Sequence, residues 1–191
     1  MERFGELYND IIISGLINKF NYKNYYQIPK IFKIKLIFKV NINKPFFNKR
    51  VLSSLQALKI ICDGSSPFLI KDQSTKSYTK KDFVLCVTEL KGDILYNFIN
   101  RLVSIDLPSL KFFKGFSFGF KQDIGAYCFT IHEPTTFFDL GEEYEKFNSL
   151  DKLDIIFFTN CTSLLECKTL FSFLQIPLFI KNDTNKNEFI R

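Results

Sequence analysis

The residues best suited to chemistry are three lysines in a short alternating run. Between residues 31 and 40, Lys33, Lys35 and Lys39 share one parity of position with Ile37. This pattern predicts a strand with a basic front. Alternate residues of a strand are about 6.6 Å apart, close to the spacing of phosphates along a nucleic-acid strand, so these lysines could follow a backbone. The alternative is a solvated sheet face in a lysine-rich chain. The apolar back is predicted to hold Phe32, Ile34, Leu36, Phe38 and Val40.

Two further segments combine positive charge with aromatic rings. The polar stretch 72–82 holds Lys76, Tyr78, Lys80 and Lys81, and such a loop could contact RNA by charge and stacking; a flexible connector is the alternative. The sequence KFFKGFSFGFK of residues 111–121 interleaves phenylalanine with lysine, as RNA-stacking surfaces do. The same string would arise if phenylalanine had replaced leucine in a core loop. Its lysines are Lys111, Lys114 and Lys121.

The composition indicates a globular, basic protein. The 191 residues are 46% hydrophobic and 24% charged, with a formal net charge of +6 and a pI near 9.0. This balance favours nucleic acid as a partner, and then an anionic membrane. Lysine outnumbers arginine 22 to 4, although arginine is the better phosphate ligand. We interpret this ratio as drift in an A+T-rich genome, of which an organelle genome is one kind.

The sequence offers little for catalysis or for a cofactor. His132 is the only histidine, which excludes a multi-histidine metal site, and no phosphate-binding glycine motif is present. An enzyme with a cysteine nucleophile beside His132 is a remote alternative, because nothing in the sequence places a thiol there. The five cysteines are predicted to be buried free thiols of a reducing compartment. They are Cys62, Cys86, Cys128, Cys161 and Cys167.

The elements predicted from periodicity alternate without regular βαβ units. Helices are expected over 4–20, 49–62, from 93 to Pro108 and after Thr162 or Ser163, where Ser163 and Glu166 have capping-box spacing. Strands are expected at 31–40, 67–71, 83–90, 125–131 and 153–159, with an irregular stretch at 132–152. We therefore predict an α+β fold, an antiparallel or mixed sheet with helices packed on one face. One domain over 1–180 with an extended loop at 72–82, and a polar tail at 181–191, is expected.

The order of several segments resembles the large-subunit ribosomal protein five family, the bacterial type that binds 5S rRNA in the central protuberance. Residues 21–38, NYKNYYQIPKIFKIKLIF, resemble the family's opening segment NYxxxxQVPRxEKIxLNM. Residues 98–116, FINRLVSIDLPSLKFFKGF, resemble FFxRLxxxxxPRxRDFRGL, and Gly125 and Tyr127 follow at the spacing of its G-N-Y-S stretch. Residues 131–140 resemble VREQxxFPEI, and QIPLF at 175–179 resembles the closing FDFPF. The resemblance is collinear from about residue 4 to residue 179.

The resemblance implies a structural ribosomal protein without catalytic activity or cofactor. Its partners would be 5S and large-subunit rRNA, neighbouring large-subunit proteins, the peptidyl-site tRNA and a protein of the small-subunit head. The loop with Lys76, Tyr78, Lys80 and Lys81 would lie on the tRNA side. Where the family has an RNA-facing Asn, this chain has Ile37, and where it has a Gln in S-G-Q-K-P, this chain has Ser65. The rRNA-binding residues would be Lys30, Lys33, Lys35, Lys39, Thr88, Lys111 and Lys114.

Location follows from the same two observations. The resemblance begins close to Met1, which leads us to expect no import sequence, and the codon bias favours an organelle-encoded protein. A mitochondrial matrix ribosome is expected, with a plastid as the less favoured setting. The longest uncharged runs have 11 and 12 residues, shorter than the about 20 needed to span a membrane, and no basic amphipathic helix suggests a membrane partner. The alternative function is a non-ribosomal RNA-binding module.

Overall fold

A computed structural model describes residues 3–72, 83–110, 113, 115–117, 120–121, 125–141 and 143–179. The chain divides into two compact units. Unit 1 comprises residues 1–34, 91–129 and 156–191, and unit 2 comprises residues 35–90 and 130–155. The chain therefore crosses between the units several times.

The helices form where apolar residues recur at helical spacing. The first one is longer than its α-helical parts, because the π-helical turn Tyr8–Ile12 joins α1 to α2, and a second π-helical turn, Leu102–Asp106, joins α4 to α5. Pro108 therefore lies within the helical run, in its last short piece. The α-helices are α1 (Arg3–Leu7), α2 (Ile13–Phe20), α3 (Phe47–Ile61), α4 (Asp93–Arg101), α5 (Leu107–Ser109), α6 (Phe138–Gly141), α7 (Tyr144–Phe147) and α8 (Leu164–Phe173).

The strands confirm the predicted α+β class. Among the described residues they form a six-stranded sheet in the order β2-β3-β1-β7-β6-β5 and a separate parallel pair, β4-β8. The pairs β2-β3 and β5-β6 are antiparallel. The strands are β1 (Ile31–Asn41), β2 (Phe68–Asp72), β3 (Phe83–Leu90), β4 (Phe116–Ser117), β5 (Phe120–Lys121), β6 (Ala126–Ile131), β7 (Leu153–Thr159) and β8 (Leu178–Phe179).

Aromatic rings fill the core of unit 1. Phe171 of α8 makes edge-to-face contacts with Tyr127 and Phe157, at centroid separations of 4.7 and 5.5 Å. Phe129 lies between Phe157 and Phe116, 5.3 and 4.2 Å from their centroids. Such pairs add about 0.5–1.5 kcal/mol each beyond the burial of their area. The phenylalanine-rich composition therefore serves packing here.

Helix α8 begins with a complete capping box. The Ser163 hydroxyl accepts a hydrogen bond from the Glu166 backbone amide, and the Glu166 carboxylate accepts one from the Ser163 amide. The spacing predicted this cap, and the structure confirms it with Ser163 as the capping residue.

Close backbone contact fixes the turn before β6. Gly125 has a φ of 59°, and a Cβ added there would lie 2.4 Å from the Thr159 carbonyl oxygen. The Thr159 amide and hydroxyl both donate to the Gly125 carbonyl, at 2.9 and 3.0 Å. Only glycine suits this position, which the family motif also assigns to glycine.

Unit 2 has its own apolar core between a helix and the sheet. Helix α3 contacts β3 as well as α6 and α7. Its fully buried residues include Ala57, Leu58 and Ile61. The region 132–152, predicted to be irregular, instead contains α6 and α7, because Leu140 and Phe147 are buried and anchor these short helices.

Two sequence predictions of burial were wrong. Phe32, expected on the apolar back of β1, is 47% exposed. Cys128, expected to be buried, is exposed, because Tyr127 and Phe129 of β6 take the buried face and alternate strand residues point to opposite sides. The other four cysteines are buried as predicted. Across the described residues, no helix is long and apolar enough to cross a membrane.

Candidate nucleic-acid interface

At the start of β1, a lysine and a phenylalanine lie against one aromatic ring. The Lys33 ammonium is 4.7 Å from the centroid of Phe158 on β7, and the Phe32 ring is 6.2 Å from it. Two consecutive residues that oppose one residue of the neighbouring strand form the pattern of a β-bulge. The bulge explains why Phe32 leaves the apolar back: it interrupts the alternation of side chains at this point of the strand.

Asn160 clamps the segment that leads into β1. Its side-chain oxygen accepts a hydrogen bond from the Lys30 amide at 2.6 Å, and its side-chain nitrogen donates to the Ile28 carbonyl at 3.2 Å. The Asn160 amide also donates to the Lys30 carbonyl at 3.3 Å. The buried Tyr8 hydroxyl donates to the Pro29 carbonyl at 2.9 Å, and burial raises the pKa of Tyr8, which keeps this donor protonated. These bonds fix the backbone that carries Lys30.

An exposed aromatic turn precedes this clamp. The 3₁₀ turn Tyr25–Gln27 leaves Tyr25 66% and Tyr26 91% exposed, with their rings 6.3 Å apart in an edge-to-face arrangement. The Ile28 amide donates to the Tyr25 carbonyl at 3.2 Å, and the Ile28 side chain is buried. Sequence analysis missed this pair; its signal was two adjacent aromatic residues in an otherwise polar stretch.

In unit 2, the other two lysines of β1 are paired with carboxylates. Lys35 contacts Glu89 of β3 at 2.7 Å, and Lys39 contacts Asp154 of β7 at 2.6 Å. Asp154 also accepts a hydrogen bond from the Thr130 hydroxyl at 2.8 Å. The basic front predicted for β1 is therefore largely neutralised at these two positions.

The charges of the chain are unevenly distributed along the sequence. Residues 11–62 contain ten lysines and arginines and no acidic residue, whereas the remaining chain contains 16 basic and 20 acidic residues. Asp151 pairs with both Lys44 and Arg50 of the basic stretch. Among the described residues, the structure shows no carboxylate paired with Lys30 or Lys33. Unit 1 therefore retains the uncompensated lysines of β1 and its approach.

Thr88 does not belong to this surface. It is fully buried, and its hydroxyl has no hydrogen-bond partner among the described residues. The next residue of β3, Glu89, pairs with Lys35, and consecutive strand residues point to opposite faces. In this structure Thr88 therefore faces the interior and offers no atom to RNA, contrary to the expectation from the family resemblance.

Several predicted site residues lie outside the described residues. These are Lys111 and Lys114 of the aromatic-basic segment and Lys76, Tyr78, Lys80 and Lys81 of the loop. Within the aromatic-basic segment, Phe116 is 5% exposed and packs against Phe129. At Phe116 the structure thus favours the core-loop alternative over an RNA-stacking surface.

A metal or catalytic centre is not apparent in the described parts of the chain. No group of three or more His, Cys, Asp or Glu side chains is arranged there to hold a metal ion. What unit 1 presents at its surface is instead a combination of Lys30, Lys33 and exposed aromatic rings. Positive charge beside open rings is the chemistry that binds nucleic-acid backbones and unpaired bases.

Comparison with known proteins defines the class to which this fold belongs. A family model for the C-terminus of the ribosomal protein five (uL5) family matches residues 84–178. The chain is 34% identical over 179 residues to the large ribosomal subunit protein uL5 of Wolbachia sp. subsp. Drosophila simulans, covering 92% of this chain and 99% of that protein. It is 31% identical over 180 residues to the protein of the same name from Clostridium perfringens, covering 93% and 98%.

The chain is thus a ribosomal protein by class. It belongs to the uL5 family of the large ribosomal subunit. Members of this family are structural and not enzymatic, so this membership confirms the prediction that the chain is not an enzyme.

Proposed function

We propose that this chain holds rRNA in the large subunit of an organellar ribosome, and that Lys30 and Lys33 provide its main described contacts to the phosphate backbone. As a family member, the chain is a structural constituent of the large subunit that binds rRNA. The observation that carries the proposal is the contrast along β1: Lys35 and Lys39 have carboxylate partners, whereas Lys30 and Lys33 have none among the described residues.

The contrast matters because a phosphate must compete with any carboxylate already bound to a lysine. Binding RNA at Lys35 or Lys39 would require breaking an ion pair with Glu89 or Asp154. Lys30 and Lys33 require no such exchange. Lys30 is exposed on a backbone held by Asn160, and Lys33 is held over Phe158. These two side chains therefore release counterions from RNA at the lowest cost.

The finer assignments rest on the family resemblance. We infer that the RNA partner includes 5S rRNA in the central protuberance. The loop with Lys76, Tyr78, Lys80 and Lys81 is proposed to approach the peptidyl-site tRNA, and Lys111 and Lys114 to support a neighbouring rRNA contact. A bridge to a protein of the small-subunit head completes the proposed set of partners.

The organellar setting, mitochondrial in preference to plastid, rests on composition. Lysine replaces arginine at a ratio of 22 to 4 throughout the chain, although RNA binding favours arginine. Mutational bias toward A+T-rich codons accounts for this ratio without selection on binding.

The test compares charge reversals at matched positions. Binding to purified large-subunit rRNA is measured as a function of salt for the double variant Lys30→Glu/Lys33→Glu. Each phosphate contact contributes roughly 0.7–0.9 units to the slope of log K against log salt, so the slope should fall by about two units. The control is Lys59→Glu, an exposed residue of α3. An unchanged slope in the double variant would refute the assignment of these two lysines.

A further inference from the structure

The exposed turn Tyr25–Gln27 is the least explained feature of unit 1. Tyr26 is 91% exposed and Tyr25 66%, although large apolar rings are stabilised by burial. Among the described residues, the pair has no packing role that accounts for two adjacent exposed rings. Exposed aromatic surface of this kind marks a binding site.

The turn is held in place by the protein and not by the rings themselves. Ile28 is buried, its amide closes the turn onto the Tyr25 carbonyl, and Asn160 holds the Ile28 carbonyl. The anchor therefore lies directly after the rings in the chain. A ligand that stacks on them meets a positioned backbone, which lowers the conformational entropy lost on binding.

Charge selects the kind of ligand. Residues 11–62 contain no acidic side chain, and Lys23 and Lys30 flank the turn, both exposed. Among the described residues neither of them is paired with a carboxylate. Tyr26 and Lys30 are four positions apart, which bounds their Cα distance at about 14 Å. A ring and an ammonium within this distance suit a base and a nearby phosphate of one RNA strand.

We propose that Tyr25 and Tyr26 form a stacking site for an unpaired RNA base, with Lys23 and Lys30 binding the flanking phosphates. The inference rests on the proposed rRNA-binding function and adds to it the kind of RNA that this end of the surface takes: a single-stranded or bulged nucleotide. A duplex is excluded from the site because its bases are already stacked on one another.

The experiment uses the full chain and two fluorescein-labelled RNA probes, a 12-nucleotide oligoadenylate and a 12-base-pair duplex. Base–aromatic stacking is worth about 1–3 kcal/mol per base, so Tyr26→Ala should weaken oligoadenylate binding by about 5- to 150-fold. Duplex binding should stay within two-fold. Tyr26→Phe keeps the ring and should bind as the unchanged protein does. Tyr144→Ala, which removes a half-exposed tyrosine of unit 2, is the matched control.

The outcomes separate this inference from the proposed function. If Lys30→Glu/Lys33→Glu lowers the rRNA salt slope but Tyr26→Ala leaves oligoadenylate binding unchanged, the stacking site is refuted and the rRNA surface stands. Absence of oligoadenylate binding by the unchanged protein also refutes the stacking site. If Tyr26→Ala reduces incorporation into the large subunit while RNA affinity is unchanged, the pair contacts a protein and the inference is wrong. Melting temperatures of all variants identify any loss caused by unfolding.

Discussion

The Lys33 ammonium lies 4.7 Å from the centroid of the Phe158 ring. This cation–π contact holds a charge at the surface of unit 1 without a carboxylate partner among the described residues. The ring attracts the ammonium but leaves its net charge intact, whereas a carboxylate would cancel it. Lys33 is therefore both positioned and available to a phosphate.

Replacing the ring should reduce affinity without changing the charge. Phe158→Leu removes a contact worth about 0.5–1 kcal/mol at an exposed site, so rRNA affinity should fall about two- to five-fold. The slope of affinity against salt should not change, because the number of lysines is the same. The comparison is made by titration at several salt concentrations, with Phe138→Leu, an exposed residue of α6, as control. A changed slope would show that Phe158 does more than position Lys33.

Charge reversal should affect stability differently at neighbouring positions of β1. Lys35→Glu places a carboxylate beside Glu89, which Lys35 now contacts at 2.7 Å. The pair is about a quarter exposed on each side, so losing it and adding repulsion should cost about 1 kcal/mol and lower the melting temperature by roughly 2–4 °C.

Lys33→Glu is the matched change and should leave the melting temperature nearly unaltered. Lys33 faces an aromatic ring and has no carboxylate partner among the described residues. Equal melting temperatures for the two variants would contradict the ion-pair assignment. The result also decides which lysine variants can be used in RNA-binding tests without loss of folded protein.

Asn160 should matter for stability because it satisfies two backbone groups of the β1 approach. Asn160→Ala removes the hydrogen bonds to the Lys30 amide and the Ile28 carbonyl, at a cost of about 1–2 kcal/mol. Thermal denaturation should show a decrease of roughly 2–8 °C. Asn160→Asp keeps the acceptor for Lys30, so its melting temperature should fall between those of Asn160→Ala and the unchanged protein. Asn18→Ala, at an exposed position of α2, should have little effect, and an equal effect there would refute the clamp.

The cysteines should react with alkylating agents at very different rates. Cys128 is exposed, whereas burial raises the pKa of the Cys86 thiol to about 11. At pH 8 about one Cys86 in a thousand is then a thiolate, the reactive form. Iodoacetamide labelling of the folded protein, followed by peptide mass spectrometry, should modify Cys128 first. Equal labelling of Cys86 and Cys128 under native conditions would contradict the burial of Cys86.

Most of the local structure was predictable from periodicity. The alternation of residues 31–40 and the helical spacing of 4–20 depend only on neighbouring residues, and both elements formed. The capping box at Ser163 was predictable for the same reason. The bulge at Phe32 and Lys33 was not, because it depends on how β1 meets Phe158, more than a hundred residues later.

The site was less predictable than the fold because charge pairing is non-local. Glu89 and Asp154 are far in sequence from Lys35 and Lys39, so the alternating run alone could not reveal that these lysines are paired. Burial of Thr88 likewise depends on the face that β3 turns toward the core. The family resemblance identified the surface, but the selection among its lysines required the structure.

The most direct test of the central claim is sedimentation of mitochondrial lysate through a sucrose gradient after a high-salt wash, with this chain followed by mass spectrometry. The account predicts that the chain migrates with the large ribosomal subunit in stoichiometric amount and leaves it when the RNA is digested. Recovery of the chain only in light fractions, with the large subunit present and free of it, would contradict the account.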